Sequence, residues 1–190
     1  AAQAGPNDLK EIEHLARQPK VVAIGEIGMD FYWETETRQV QENIFLQQLE
    51  LAAALNLPVV IHNRKAGQAI LQVLDQVADL PLRGVFHCFS EDETYAQQVL
   101  QRGFHISFTG NLTYKKSTLP GIAKEIPLER ILLETDSPFM PPVPKRGKRN
   151  EPAFVRYIAE KHAEIRQLAL EEVAAVTTKN ARALFKLPPA

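Results

Sequence analysis

Residues Val21–Tyr32 read VVAIGEIGMDFY. Four apolar residues run into a glycine, then a carboxylate, then a second glycine. A short apolar run closed by turn residues is the pattern of a buried parallel strand. Glu26 then falls at the carboxyl end of that strand. A lone acid there is costly unless something positive pairs with it, and the rest of the chain can be read for that partner.

The same grammar returns three times. Pro58–Arg64 (PVVIHNR) ends in His62, Gly84–Ser90 (GVFHCFS) in His87, and Ile131–Phe139 (ILLETDSPF) in Asp136. Two histidines and two carboxylates form a ligand set for a divalent ion, either zinc or the harder manganese and magnesium. One such residue would be an ordinary polar strand end. Recurrence at Glu26, His62, His87 and Asp136 points to a site.

Between these strands the periodicity predicts helices. A short one covers Leu9–Arg17, capped by Asp8 after the turn Gly5-Pro6-Asn7-Asp8. The longest covers Glu34–Asn56, with Val40, Ile44, Leu51 and Leu55 on one side and Asn56 as its stop. Others cover Ala66–Val77, Asp92–Gln101 behind the capping pattern Ser90-Glu91-Asp92-Glu93, Leu119–Glu125, Pro152–Glu164 and Leu168–Phe185. His105–Thr109 is a further strand, and Pro138–Asn150 is a Pro- and base-rich loop. Alternating strands and helices predict an α/β fold with a parallel sheet and right-handed crossovers. Functional groups on several strand ends favour a TIM-type barrel, which gathers those ends on one face. No glycine-rich phosphate fingerprint supports an open doubly wound sheet.

Bulk properties agree with one ordinary soluble domain. The chain has 190 residues, 45% of them hydrophobic, and a net charge of −1. No apolar run is long enough to span a membrane, and no signal peptide is evident. The single cysteine, Cys88, excludes an internal disulfide and fits a reducing compartment.

The motifs GEIGMDFY, VVIHNRKA, GVFHCFS, ISFTG, LLETDSPFM and RNEP occur in this order. In them the chain resembles the TatD family of metal-dependent deoxyribonucleases, within the amidohydrolase-like barrel superfamily. The resemblance runs from about Gly5 to the last helix. It implies two divalent ions held by Glu26, His62, His87 and Asp136, and 3′→5′ exonuclease action on DNA in the cytoplasm. Single strands or 3′ ends are the expected partner. Family members also carry a His-x-His pair on a first strand, and this sequence has none. By the family pattern the chain is an incomplete, N-terminally truncated barrel, residues 1–190, with about five of eight strands. Roughly a quarter of a typical ~250-residue barrel is then absent. Glu26, His62 and His87 keep one ion's ligands, while the ion shared by Glu26 and Asp136 loses two of four. Open first and last strands invite self-association.

In this reading Glu26 bridges two ions, and Asp136 takes the proton from the attacking water, with the ions about 4 Å apart. Glu134 orients a ligand or forms an interior ion pair. Asp30 organises the loop after Glu26. Arg64, Lys145, Arg146, Lys148 and Arg149, with Lys65, Lys115 and Lys116, follow strands, where they would neutralise phosphates. Phe31, Tyr32 and Trp33 are either base-stacking or packing residues. Two other readings stand beside the DNA hydrolase. One is a metallohydrolase of a small amide, lactone or phosphoester. The other is a non-catalytic partial barrel that binds metal or nucleic acid.

Overall fold

The computed structural model describes residues 6–32 and 37–188. Gly5, Trp33 and the expected helix start at Glu34 lie outside them. The elements are α1 (Pro6–Ala16), β1 (Ile24–Asp30), α2 (Arg38–Ala54), β2 (Val59–Arg64), α3 (Gly67–Gln76), β3 (Gly84–Phe86), α4 (Glu93–Gln101), β4 (His105–Phe108), α5 (Leu119–Glu125), β5 (Ile131–Leu133), α6 (Val155–Arg166) and α7 (Leu170–Phe185). The fold is α/β: five parallel strands form one sheet in the order β1-β2-β3-β4-β5. A helix follows each of the first four strands, as right-handed parallel crossovers require. No helix among the described residues is long and apolar enough to cross a membrane.

Three local expectations need correction. The first strand begins at Ile24 rather than Val21, and it continues past Glu26 to Asp30. Asp8 lies in the first turn of α1, which starts at Pro6, so it is not the cap. The cap of α4 is Asp92, whose Oδ1 accepts from the Tyr95 amide at 2.8 Å, in place of the wider Ser90 pattern. Asn56 does mark the end of α2. It takes a positive φ of 53° just past the helix, where such a turn suits Asn.

Two compact units divide inside β3, after Val85. In the first, β1 and β2 are covered by α2 and α3. Ile24, Ile27 and Met29 of β1, Val59 and Ile61 of β2, and Phe45, Leu49 and Ile70 of the helices are buried. Gln41 is polar and equally buried. Its Oε1 accepts from the Asp30 amide at 2.8 Å and its Nε2 donates to the Asp30 carbonyl at 3.1 Å. One side chain thus does for the end of β1, a terminal strand of the sheet, what a neighbouring backbone would do.

In the second unit β4 and β5 pair with Ile106 opposite Ile131 and Phe108 opposite Leu133. Phe86, Phe104, Phe108, Leu112 and Ile158 fill its interior. His162 of α6 is fully buried, and its ring meets Phe108 edge-on with centroids 5.5 Å apart. Neither ring nitrogen has a hydrogen-bond partner. Burial, and to a lesser extent the charge of Arg166, push its pKa down from 6.5 to about 3. The unfolded chain therefore takes up a proton below pH 6.5 that the folded chain refuses. Stability is lost as pH falls from 6.5 towards 3, by about 2 kcal/mol at pH 5. His162→Phe is expected to flatten the acid limb of stability by that amount. Urea midpoints at pH 7 and pH 5 check it, and equal pH dependence in both proteins would refute it.

Candidate metal centre

Glu26 reaches the site through a β-bulge. The β1–β2 register runs Gly25 opposite Val60, then Ile27 opposite Ile61, leaving Glu26 as the extra residue. The buried positions Ile24 and Ile27 are spaced by three for the same reason, since a bulge reverses the alternation of faces. The Glu26 side chain is 54% exposed. It is not the buried strand-end acid that the sequence suggested, and the desolvation cost argued for it does not apply.

Gly28 allows the two strands to approach. It is paired with His62 and has a φ of +128°. His62 lies within β2, half-buried, with each ring nitrogen near a carboxylate. Nδ1 is 3.8 Å from Glu26 Oε2, and Nε2 is 3.6 Å from Asp30 Oδ2. The other oxygen of Asp30 accepts from the Tyr32 amide at 2.8 Å. Asp30 therefore organises its loop, as expected, and also faces His62.

His87 stands one residue past β3 and is buried. Its Nδ1 is 3.5 Å from Glu134 Oε2. Glu134 Oε1 accepts from the Cys88 amide at 2.6 Å and from the Ser107 hydroxyl. Burial alone would raise the Glu134 pKa. The bonds from His87, Ser107 and Cys88, with the imidazole charge, outweigh burial and leave it below the ordinary carboxylate value. Glu134 thus faces an imidazole, the arrangement that fixes the ring of a metal-bound histidine. Glu134 itself stands one residue past β5, which stops at Leu133. Ser107, a lone hydroxyl inside the apolar strand HISF, was the signal for its support.

One ligand atom each from Glu26, His62 and His87 lies within 4.8 Å of the other two. An oxygen and two imidazole nitrogens at that spacing suit a divalent ion, with solvent in its remaining positions. Among the described residues this is the one group of three or more such ligands, and it does not include Asp136. Asp136 is three residues beyond β5, in a turn with φ 53°, where its carbonyl accepts from the Phe139 amide at 2.9 Å.

Cations gather at strand ends and in the loops that follow, Arg64 being the last residue of β2 itself. Arg64 lies 4.0 Å from Asp30 Oδ2, and its guanidinium is 4.0 Å from the Tyr32 ring centroid. The Lys65 ammonium is 4.8 Å from the same ring. Lys148 and Arg149 are exposed, and Lys145 and Arg146 lie against aromatic rings.

The family model described as TatD related DNase matches residues 1–186. The uncharacterized metal-dependent hydrolase YabD of Bacillus subtilis is 41% identical over 181 residues, covering 95% of this chain and 71% of the relative. The 3′-5′ ssDNA/RNA exonuclease TatD of Salmonella typhimurium is 37% identical over 193 residues, covering 98% and 74%. The crystal structure of YJJV, a TatD homologue from Escherichia coli, superposes with a TM-score of 0.91 at 30% identity, covering 98% and 73%.

Proposed function

The chain belongs to the TatD-related DNase family of metal-dependent hydrolases, and from that premise we propose that it shortens single-stranded DNA from the 3′ end. The observation that carries the proposal is the convergence of Glu26, His62 and His87 to within 4.8 Å. These three would hold a magnesium, manganese or zinc ion. Such an ion, when bound, supplies Lewis acidity that draws charge from a phosphodiester and makes water a better nucleophile near neutral pH. By the family resemblance Glu26 and Asp136 would hold a second ion, and Asp136 would accept a proton from water. We take residues 1–190 as one hydrolase domain in this reading.

The surrounding residues have definable work. Glu134 turns the His87 ring and keeps Nδ1 occupied, so that Nε2 is the nitrogen left for a ligand role. Asp30 constrains His62 in the same manner from its Nε2 side. Arg64, Lys145, Arg146, Lys148 and Arg149 are proposed to hold phosphates.

The test uses the purified chain with 5′-labelled single-stranded DNA, magnesium or manganese, with and without EDTA. A chelator-sensitive ladder shortening from the 3′ end is expected. Absence of any metal-dependent cleavage would sink the proposal.

Two further outcomes are expected. Glu134→Gln keeps the shape but loses the charge, and should weaken metal affinity by ~10- to 100-fold. Calorimetric titration with manganese measures this, and unchanged affinity would deny Glu134 the role. Alanine at Lys145, Arg146, Lys148 and Arg149 together should weaken DNA binding regardless of sequence. The slope of log affinity against log salt should fall by ~0.7 per lost phosphate contact. An unchanged slope would reduce the patch to solvated surface.

A further inference from the structure

The loop 138–150 is fastened without its cations. Buried Asn150 donates through Nδ2 to the carbonyls of Thr135 (2.6 Å) and Phe139 (2.5 Å), and its amide donates to that of Pro138 (3.1 Å). The Val143 amide donates to Thr113 Oγ1 at 2.9 Å, and the Tyr114 hydroxyl to the Pro141 carbonyl at 3.3 Å. Gly110 lets the loop pass close, since a Cβ there would meet the Met140 carbonyl oxygen at 2.1 Å.

The cations of this loop lie over aromatic rings instead. The Arg146 guanidinium is 4.1 Å from the Tyr114 ring centroid. Lys145 Nζ is 5.3 Å from the centroid of Phe154 and 5.7 Å from that of Tyr157, two rings that meet edge to face. Arg17, Arg38, Arg156 and Lys161, by contrast, each pair with a glutamate three or four residues away. Among the described residues no carboxylate pairs with Lys115, Lys116, Lys145, Arg146, Lys148 or Arg149. The patch therefore combines uncompensated charge with flat π surface, on a loop that holds its own shape.

We infer that Tyr114, beneath Arg146, is a stacking step for an unpaired nucleobase, with Arg146 and Lys145 meeting the adjoining phosphates; this rests on the nucleic-acid reading above. A single strand presents both features that such a patch complements, an exposed base face and a regularly spaced anion. A paired base has its faces covered by its neighbours in the stack and cannot use the ring. A guanidinium already parked over the ring can move to the phosphate, or lie on the outer face of the base, without new loop ordering. The step thereby selects single strands over duplex, and it reads no particular base.

The test is binding of a labelled oligothymidylate to the full chain in EDTA, compared with an abasic strand of equal length. Tyr114→Ala should weaken the thymidylate strand by at least about 5-fold, and the abasic strand by less than about twofold, with the salt slope unchanged. Tyr114→Phe, which keeps the ring and loses only the bond to the Pro141 carbonyl, should keep the preference for the thymidylate strand over the abasic one. Arg146→Ala should weaken both strands and lower the slope by ~0.7. If Tyr114→Ala melts early, Tyr114→Leu, which packs but has no π face, carries the same comparison. Equal loss on the abasic strand, no loss on either, or competition by polyglutamate as strong as by oligothymidylate would overturn the inference. A native chain that discriminates the two strands but cleaves no phosphodiester would sink the hydrolase reading alone. One that cleaves DNA and binds both strands alike would sink the stacking step alone.

Discussion

His87→Ala is expected to abolish tight metal binding and to lower metal-dependent hydrolysis by more than ~100-fold, beyond the ~10- to 100-fold typical of an outer-shell partner. The change removes one of three proposed ligands, and the donor that the structure orients most firmly. His87 is buried, and Glu134 and Ser107 are arranged behind it. Removal also strips Glu134 of a hydrogen bond and a charge that hold its pKa below the usual value against burial. The variant therefore leaves a less compensated carboxylate where a cation should bind. Metal content after dialysis, cleavage of single-stranded DNA, and a melting curve as a control for folding make the measurement. A folded variant that retains stoichiometric metal and near-native cleavage would show that the ion is held elsewhere. His62→Ala should act in the same direction.

The sheet was legible in the sequence because each strand writes itself as an apolar run closed by a polar residue. That logic placed His62 in β2 and His87 just past β3, and it misplaced Glu26. A bulge at Glu26 shifts the register by one residue, and an apolar-run pattern carries no mark of it beyond the flanking glycines. Asp136 was read as a strand end, but β5 stops at Leu133. Its role thus rests on the family resemblance rather than on the strand argument.

The supporting contacts were harder to read, for a physical reason. Gln41 reaches from α2 to the backbone of Asp30, eleven residues away, and Ser107 reaches Glu134 across twenty-seven. Local periodicity says which face a residue occupies, not which distant polar group it satisfies. Buried polar residues are the trace such contacts leave. A glutamine within an amphipathic helix, or a serine within an apolar strand, needs a partner because burying it unpaired is costly. The cations were visible as a composition bias, whereas their rings were not. Tyr114 and Arg146 become neighbours only once the loop 138–150 is tied down at Asn150 and Thr113.

Gly28→Ala is expected to cost several kcal/mol and to lower the melting temperature by about 10 °C or more, at ~2–4 °C per kcal/mol for a chain of this size. Two separate effects act together. A Cβ on Gly28 would stand 2.1 Å from the His62 carbonyl oxygen and 3.0 Å from the His62 amide nitrogen, so β1 must part from β2 at that pair. Those atoms are backbone and cannot swing aside as a flexible side chain would. In addition, φ is +128° at Gly28, a conformation that a side chain makes costly. The displaced pair is the one that carries His62, and the bulge bearing Glu26 lies two residues away, so two proposed ligands shift together. Metal affinity should fall with stability, although no ligand has been changed. Gly103→Ala is the comparison. It also has a positive φ, of 82°, but nothing lies within 4 Å of an added Cβ. It should cost only the backbone strain and leave metal affinity alone. Thermal melts and manganese titrations of both variants measure the difference. If Gly28→Ala melts within a few degrees of the native chain and binds the ion as tightly, the strands at this pair are free to separate. The close approach of β1 and β2 would then not be what positions the ligands.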